Sequence, residues 1–277
     1  MIVAQFYNEN NTVRQIEERT YDSIAKRLSP ESTIQLCLIN NVATIVTEAE
    51  ALGRRSNAAI VIWGRNGEAF EVKVEILPES LSDIDIFELP QSTLEDEQFQ
   101  FSTPDNIDVV AATTLTRLLM IEGRTDDARI LLQDSIESYE DERLGESNPK
   151  ELASAYFLLA TILEDLASTE VDFESAVSAY TRVLALDPNN PNTDAALLNR
   201  AGLLNYLGQT DAAIADYMRL IEKNSTLSSG AYINLANIYD EQFQRQIAME
   251  QMAHAVVLDP QGAYPMLHHM LETWNIP

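Results

Sequence analysis

The sequence predicts an α+β chain: a small βαβαββ domain followed by an all-α array of about four helix pairs with a closing helix. Three observations carry that expectation. Apolar runs of strand length alternate with helical-period segments over the first 77 residues. A fixed pattern of small and large residues then recurs between about 109 and 262, once at a spacing of 35 residues. Finally, glycines and prolines fall between the periodic segments, where helices start and stop. The expected division is 1–102 for the α/β domain with an acidic connector, and 103–277 for the array.

In the N-terminal part, IVAQFY, TIQLCLI, AAIVIWG and EAFEVKVEIL read as four strands. VRQIEERTYDSIAKRL and TEAEALGRRS have helical period and separate the first three. The last two strands are joined through RNGE, an Asn-Gly hairpin signal, so a mixed sheet is predicted. The stretch from about 78 to 106 is acidic and carries Pro78, Pro90 and Pro104. Its aromatic and isoleucine content suits a connector with one or two edge strands (IDIFEL, QFQF) rather than a free linker.

The array is read from its repeat. Residues 232–260 present Tyr232, Leu235, Ala236, Tyr239, Ala248, Met252, Ala255 and Pro260. The unit before offers Leu197, Ala201, Leu204, Gly208, Ala213, Tyr217 and Leu220. Earlier copies run through Tyr156, Leu159, Ala160 and Leu163 to Ala176, Tyr180, Val183 and Pro188, and through Ala112, Leu115, Leu119, Gly123, Ala128 and Leu132. Small residues let two helices approach closely, glycine tolerates the tight turn between them, and proline ends the second helix. One pair cannot bury its face alone, so neighbouring pairs stack. AYPMLHHMLETWN reads as the closing helix.

This pattern resembles the tetratricopeptide repeat (TPR) family, which implies a right-handed superhelix. Arg200 and Ser225 depart from it, standing where an apolar residue and a proline are usual. The interval from Ala128 to Ala176 is 48, and 137–152 is expected to supply a helix extension and an acidic loop. The stretch EALGRRSNAAIVIWGRNGEAFEVKV resembles the N-terminal domains of TolB-type and CsgG-type bacterial proteins, in versions found ahead of bacterial TPR arrays.

Charge excludes several partner classes. The chain has 18 Lys+Arg against 44 Asp+Glu, a net of −26, and both parts on either side of residue 102 are acidic. Nothing basic is available to neutralise phosphates, so neither nucleic acid nor an anionic membrane surface is an expected partner. No apolar run is long enough for a transmembrane helix, and the opening residues lack the features of a signal peptide. The single cysteine, Cys37, lies in an apolar run and fits a reducing cytoplasm.

Catalytic constellations are not found. The N-terminal glycines Gly53, Gly64 and Gly67 do not form a phosphate-cradling loop. Its strands and helices hold no histidine to activate a nucleophile. His268 and His269 are adjacent and so point to different helix faces, unlike the i, i+4 ligand pair. No enzyme activity, cofactor or metal is expected.

The resemblance implies a groove lined by the first helix of each repeat. Its ligand-facing positions fall on Asn199, Asn205 and Tyr206 in the third unit, and on Asn234, Asn237, Asp240 and Glu241 in the fourth. In the second unit they include Glu164 and Asp165, and Arg117 is the first unit's only cation there. Asparagine at the sixth position (Asn199, Asn234) is used by peptide-binding TPRs to hold a ligand backbone, since an amide both donates and accepts. The basic clamp of carboxylate-gripping TPRs is missing. Two functions follow. The leading one is a scaffold or adaptor holding a neutral-to-basic segment of another protein; the other is a sensor whose α/β domain binds a small molecule and whose array relays that state. Homo-oligomers are compatible with either.

Overall fold

The computed structural model describes residues 2–8, 22–23, 25–27, 37–43, 60–66, 70–76, 97–101, 107–142 and 152–274. By compactness the chain divides into Met1–Leu166 and Ala167–Pro277.

In the first unit the described strands are β1 (Ile2–Asn8), β2 (Cys37–Ala43), β3 (Ile60–Asn66), β4 (Phe70–Ile76) and β5 (Glu97–Phe101). Their order is β2-β1-β3-β4-β5. β1 runs parallel to β2 and β3, while β4 is antiparallel to β3 and β5.

The expected α+β class with a βαβαββ domain is corrected by this description. Every described element from residue 107 onward is an α-helix, so this part of the chain is an all-α repeat array. Among the described residues five strands precede it, the fifth being the edge strand expected at QFQF in the acidic connector, which lies beside β4. The second strand is described from Cys37, residues 33–36 of the expected strand lying outside the described residues, and its register against β1 shifts between Ala4 and Gln5. Of the two expected intervening helices, only 22–23 and 25–27 are described, as helix; the segment TEAEALGRRS lies outside the described residues.

The same unit continues with α1 (Ile107–Ile121), α2 (Thr125–Glu142) and α3 (Leu152–Leu166). The second unit holds α4 (Glu170–Leu186), α5 (Thr193–Tyr206), α6 (Thr210–Glu222), α7 (Ser228–Glu241), α8 (Arg245–Leu258) and α9 (Pro260–Thr273). The alanines of the repeat pattern (Ala128, Ala160, Ala176, Ala201, Ala213, Ala236 and Ala248) are all completely buried. With only a methyl group at each, the paired helices can pack closely at these positions.

Three of the turns inside the pairs, α1–α2, α5–α6 and α7–α8, share one geometry. Gly123 and Gly208 have φ of +74° and +75°, and Phe243 takes the same place at +61°. In each, two N–H groups reach back to the helix just ended: Gly123 and Arg124 to Met120 and Leu119, Gly208 and Gln209 to Asn205 and Leu204, Phe243 and Gln244 to Asp240 and Tyr239. This satisfies carbonyls the helix leaves open and demands a left-handed residue, which glycine adopts without strain. The longer α2, 18 residues where α6 has 13, accounts for five of the 13 residues by which the 48-residue first interval exceeds the 35-residue one. The acidic segment 143–150 lies outside the described residues.

Both departures from the repeat pattern have partners. The Arg200 guanidinium donates to both carboxylate oxygens of Asp216 on α6, at 2.8 and 2.7 Å, and to the Thr181 hydroxyl on α4 at 2.9 Å. It thus ties α5 to the helices on either side. The planar fork suits this bidentate geometry. Ser225, in the proline position, hydrogen-bonds Asp194 on α5, which Lys223 also contacts. Burial pushes the Asp194 carboxyl up, but these two donors more than offset it and hold it below its ordinary value.

The closing helix α9 starts with Pro260, capped by the Asp259 side chain, which accepts from the Gly262 N–H at 3.1 Å. Ala263 and Met270 pack into a core with Ala236, Ala248, Met252 and Ala255.

Two stability outcomes follow. Ala236→Leu should overpack the closed contact and lower the urea-unfolding free energy by about 1–3 kcal/mol; an unchanged midpoint would remove this alanine from the packing account. Asp216→Ala should cost about 2–3 kcal/mol by stranding a half-buried guanidinium. Asp216→Ala combined with Arg200→Leu should cost less than Asp216→Ala alone, and strictly additive losses would show that the pair is not coupled.

Candidate functional site: the first-helix face of the second unit

The positions expected to line a groove divide sharply by exposure. From Ala111 to Ile121 every residue of α1 is buried, including Arg117 at 3% exposure. The first repeat therefore has no open first-helix face, and Arg117 belongs to the interior of its unit. At the start of α1, the Asp108 carboxylate is met by the Ser23 hydroxyl and by Arg27 at 3.1 Å. On α3, Phe157 and Leu158 are buried, Glu164 is half-buried and Asp165 is exposed.

The more open positions lie on α5 and α7. Asn199, Gly202 and Asn205 succeed one another at intervals of three on α5, and Asn234, Asn237 and Asp240 do so on α7, so each set forms a stripe. The two helices meet closely: a Cβ added at Gly230 on α7 would lie 3.7 Å from a Leu198 methyl on α5.

Along these stripes most of the side chains are held by neighbours. Asn199 donates its amide to the Tyr180 hydroxyl at 3.0 Å, and Asn234 hydrogen-bonds the Tyr217 hydroxyl. Each asparagine on a first helix is thereby locked to the preceding second helix. The Asn205 amide oxygen accepts from the Thr210 hydroxyl at 3.1 Å, across the turn that Gly208 makes. Asp240 accepts from the Trp274 indole N–H at 2.7 Å, and the Arg245 guanidinium lies 5.3 Å from the centre of that ring. Asn237 is half-buried.

Two side chains project. Tyr206 is 68% exposed, with its ring 4.7 Å from Phe173 in the first turn of α4, tilted by 59°. Glu241 is exposed at the end of α7. The face is thus an aromatic platform, rigid amides and a carboxylate terminus. The tyrosine partners of Asn199 and Asn234 were not anticipated, although the Tyr-to-Asn intervals of 19 and 17 residues are visible in the chain.

Burial pushes the Tyr217 hydroxyl up to about 12; the Asn234 hydrogen bond works against the rise, and the neighbouring Asp216 charge adds to it. Among the described residues no group of three or more His, Cys, Asp or Glu side chains is placed to hold a metal ion, and no helix is long and apolar enough to cross a membrane.

The tetratricopeptide-repeat sequence profile matches residues 195–226, which span most of α5, all of α6 and the turn after it. Solved structures similar to the chain include YrrB, a TPR protein described as having an unusual peptide-binding site, at 16% identity over 61% of this chain and 77% of that one, with a TM-score of 0.47. MamA from Desulfovibrio magneticus RS-1 matches at 21% identity over 60% and 85% of the two chains, TM-score 0.47. BtubC from P. vanneervenii matches at 18% identity over 65% and 69%, also with a TM-score of 0.47. Likenesses this distant assign neither ligand nor partner to the chain. No curated protein matches it at a significant level. The resemblance of the N-terminal stretch to TolB-type and CsgG-type domains finds no support among these likenesses.

Because the folded Tyr217 holds its proton to about pH 12 while an unfolded tyrosine releases it near 10, its contribution is complete below pH 10 and is lost as pH rises toward 12. Urea midpoints should fall across that window, and less steeply in Tyr217→Phe. An identical fall in both proteins would show that Tyr217 is not the group responsible. Asn234→Ala should cost about 1–2 kcal/mol without any ligand present, because a buried hydroxyl loses its partner.

Proposed function

We propose that this TPR protein is a non-enzymatic adaptor that holds a neutral-to-basic segment of a partner protein along the α5–α7 face. The observation that carries this reading is Tyr206, an aromatic ring exposed to solvent yet braced by Phe173, on a face whose remaining polar groups are largely fixed. A braced ring loses little freedom on binding, which is why aromatic side chains serve well as anchors. Glu241, with Asp240, gives the end of α7 a negative potential. Such carboxylates favour a cationic or neutral segment and oppose an acidic one.

The locked asparagines refine the picture. Asn199 and Asn234 do not swing to meet a ligand; they offer the remaining capacity of an amide whose orientation the tyrosines have set. Binding there costs little side-chain ordering.

The test begins with capture of a partner by the intact chain from its source cell, followed by affinity measurements on the captured protein. Tyr206→Ser should weaken binding about tenfold, mainly through faster dissociation. Glu241→Lys should slow association and flatten its salt dependence, which acts over about 8 Å at physiological ionic strength. Glu241 is preferred to Asp240 for this purpose, since replacing Asp240 also releases Trp274. A partner that binds both variants like the parent protein sits elsewhere on the chain, and the reading fails.

A further inference from the structure

One turn of the array departs from its counterparts at a cost to the fold. Gly123 and Gly208 take the left-handed position after α1 and α5, and the residue in that position after α7 is Phe243, with φ of +61°. Glycine adopts this conformation freely, whereas a residue with a Cβ is crowded in it. A Cβ added at Gly123 or Gly208 would meet nothing within 4 Å, so this kind of turn offers a side chain little to pack against. Phe243 is accordingly 88% exposed, the most open of the large apolar side chains among the described residues. A lone exposed apolar residue is ordinary. One that also holds the backbone in a disfavoured region points to a use outside the fold.

The neighbours of the ring indicate what would cover it. Two residues earlier, Glu241 is exposed and makes no ion pair among the described residues. A ring face attracts a cation within about 6 Å of its centre, and a carboxylate bonds the same cation. The chain already brings these groups together once at this end of α7. Arg245 lies 5.3 Å from the centre of the Trp274 ring, and the indole N–H of that ring donates to Asp240 at 2.7 Å. There the guanidinium comes from the chain itself. Beside Phe243 and Glu241 the chain's own cation, Arg245, is engaged with Trp274. We propose that Phe243 and Glu241 form a recognition site for an arginine side chain of the partner protein, its guanidinium stacked on the ring and paired with the carboxylate. Arginine is favoured over lysine because its planar, weakly hydrated fork stacks on an aromatic face while still bonding a carboxylate. The proposal shares Glu241 with the adaptor reading and rests on that reading for a protein partner, but not on Tyr206.

Two measurements on the full chain test it. Phe243→Gly should raise the urea midpoint of the protein alone, because it relieves the backbone without removing a contact. A lower midpoint would show that Phe243 serves the fold, and the proposal would fall. Titration calorimetry with capped tetra-arginine and tetra-lysine peptides, at about 50 mM salt to limit screening, reads side-chain preference at equal charge. The parent protein should bind the arginine peptide roughly two- to fivefold more tightly, the worth of an exposed cation–π contact. Phe243→Gly should abolish that preference, Phe243→Tyr should keep it, and Glu241→Gln should weaken both peptides. Tyr264→Ser, which removes an exposed ring near the start of α9, should change nothing. Equal affinity of the parent for the two peptides, a preference that survives Phe243→Gly, or arginine binding indifferent to Glu241→Gln overturns the proposal. A preference lost in Tyr206→Ser and kept in Phe243→Gly also overturns it, and leaves the adaptor reading standing. A captured partner that ignores Tyr206→Ser, while the peptides still respond to Phe243→Gly, upholds this site and removes the α5–α7 face.

Discussion

Close packing of the helix pairs at their buried alanines sets the terms for what surrounds them. Four residues beyond the alanine of each second helix stands a large side chain aimed at the next pair: Leu132, Tyr180, Tyr217 and Met252, all nearly or fully buried. Burying a hydroxyl there requires a partner, because an unsatisfied one costs on the order of 1–3 kcal/mol. The opposing position on the next first helix follows the need. Opposite the tyrosines are Asn199 and Asn234, which bond their hydroxyls. At the corresponding places for Leu132 and Met252 stand Leu158 and Met266, which have no hydroxyl to satisfy. Amide and hydroxyl appear together and disappear together, so the two asparagines answer a packing demand before they answer any ligand.

That explains which parts of the molecule could be read from the sequence. Alanines, turn glycines and the helical stripe are local signals, and they located the helix pairs from Ala112 to Pro260. Arg200 looked like a departure because its partners, Asp216 and Thr181, lie 16 and 19 residues away on other helices. Phe243 hid a glycine-type turn, since its φ of +61° is fixed by the helix-ending hydrogen bonds and not by its own preference. The groove positions of the family were assigned by number, and numbering carries no information about burial. Arg117 and Asn199 therefore looked equally available, although one is inside its unit and the other is half-buried and bonded to a tyrosine. At the N-terminus, the edge pairing of β5 depends on β4, more than 20 residues earlier in the chain, which local periodicity does not register.

The helix α9 borders the α5–α7 face. On one side α9 is followed by Trp274, whose indole holds the Asp240 carboxylate at the end of the α5–α7 face and lies beside Arg245. On its other side are Tyr264 and His268. A charge that accepts a hydrogen bond from the neighbouring helix is oriented and partly neutralised by it, so the potential at this end of the groove depends on how α9 sits. If anything that shifts α9 alters Asp240, thermodynamic linkage requires the reverse by the same free energy: a cationic segment drawing on Asp240 changes how firmly α9 is held. α9 is thus coupled to this face both through the indole–carboxylate contact and through the core that it shares with α7 and α8.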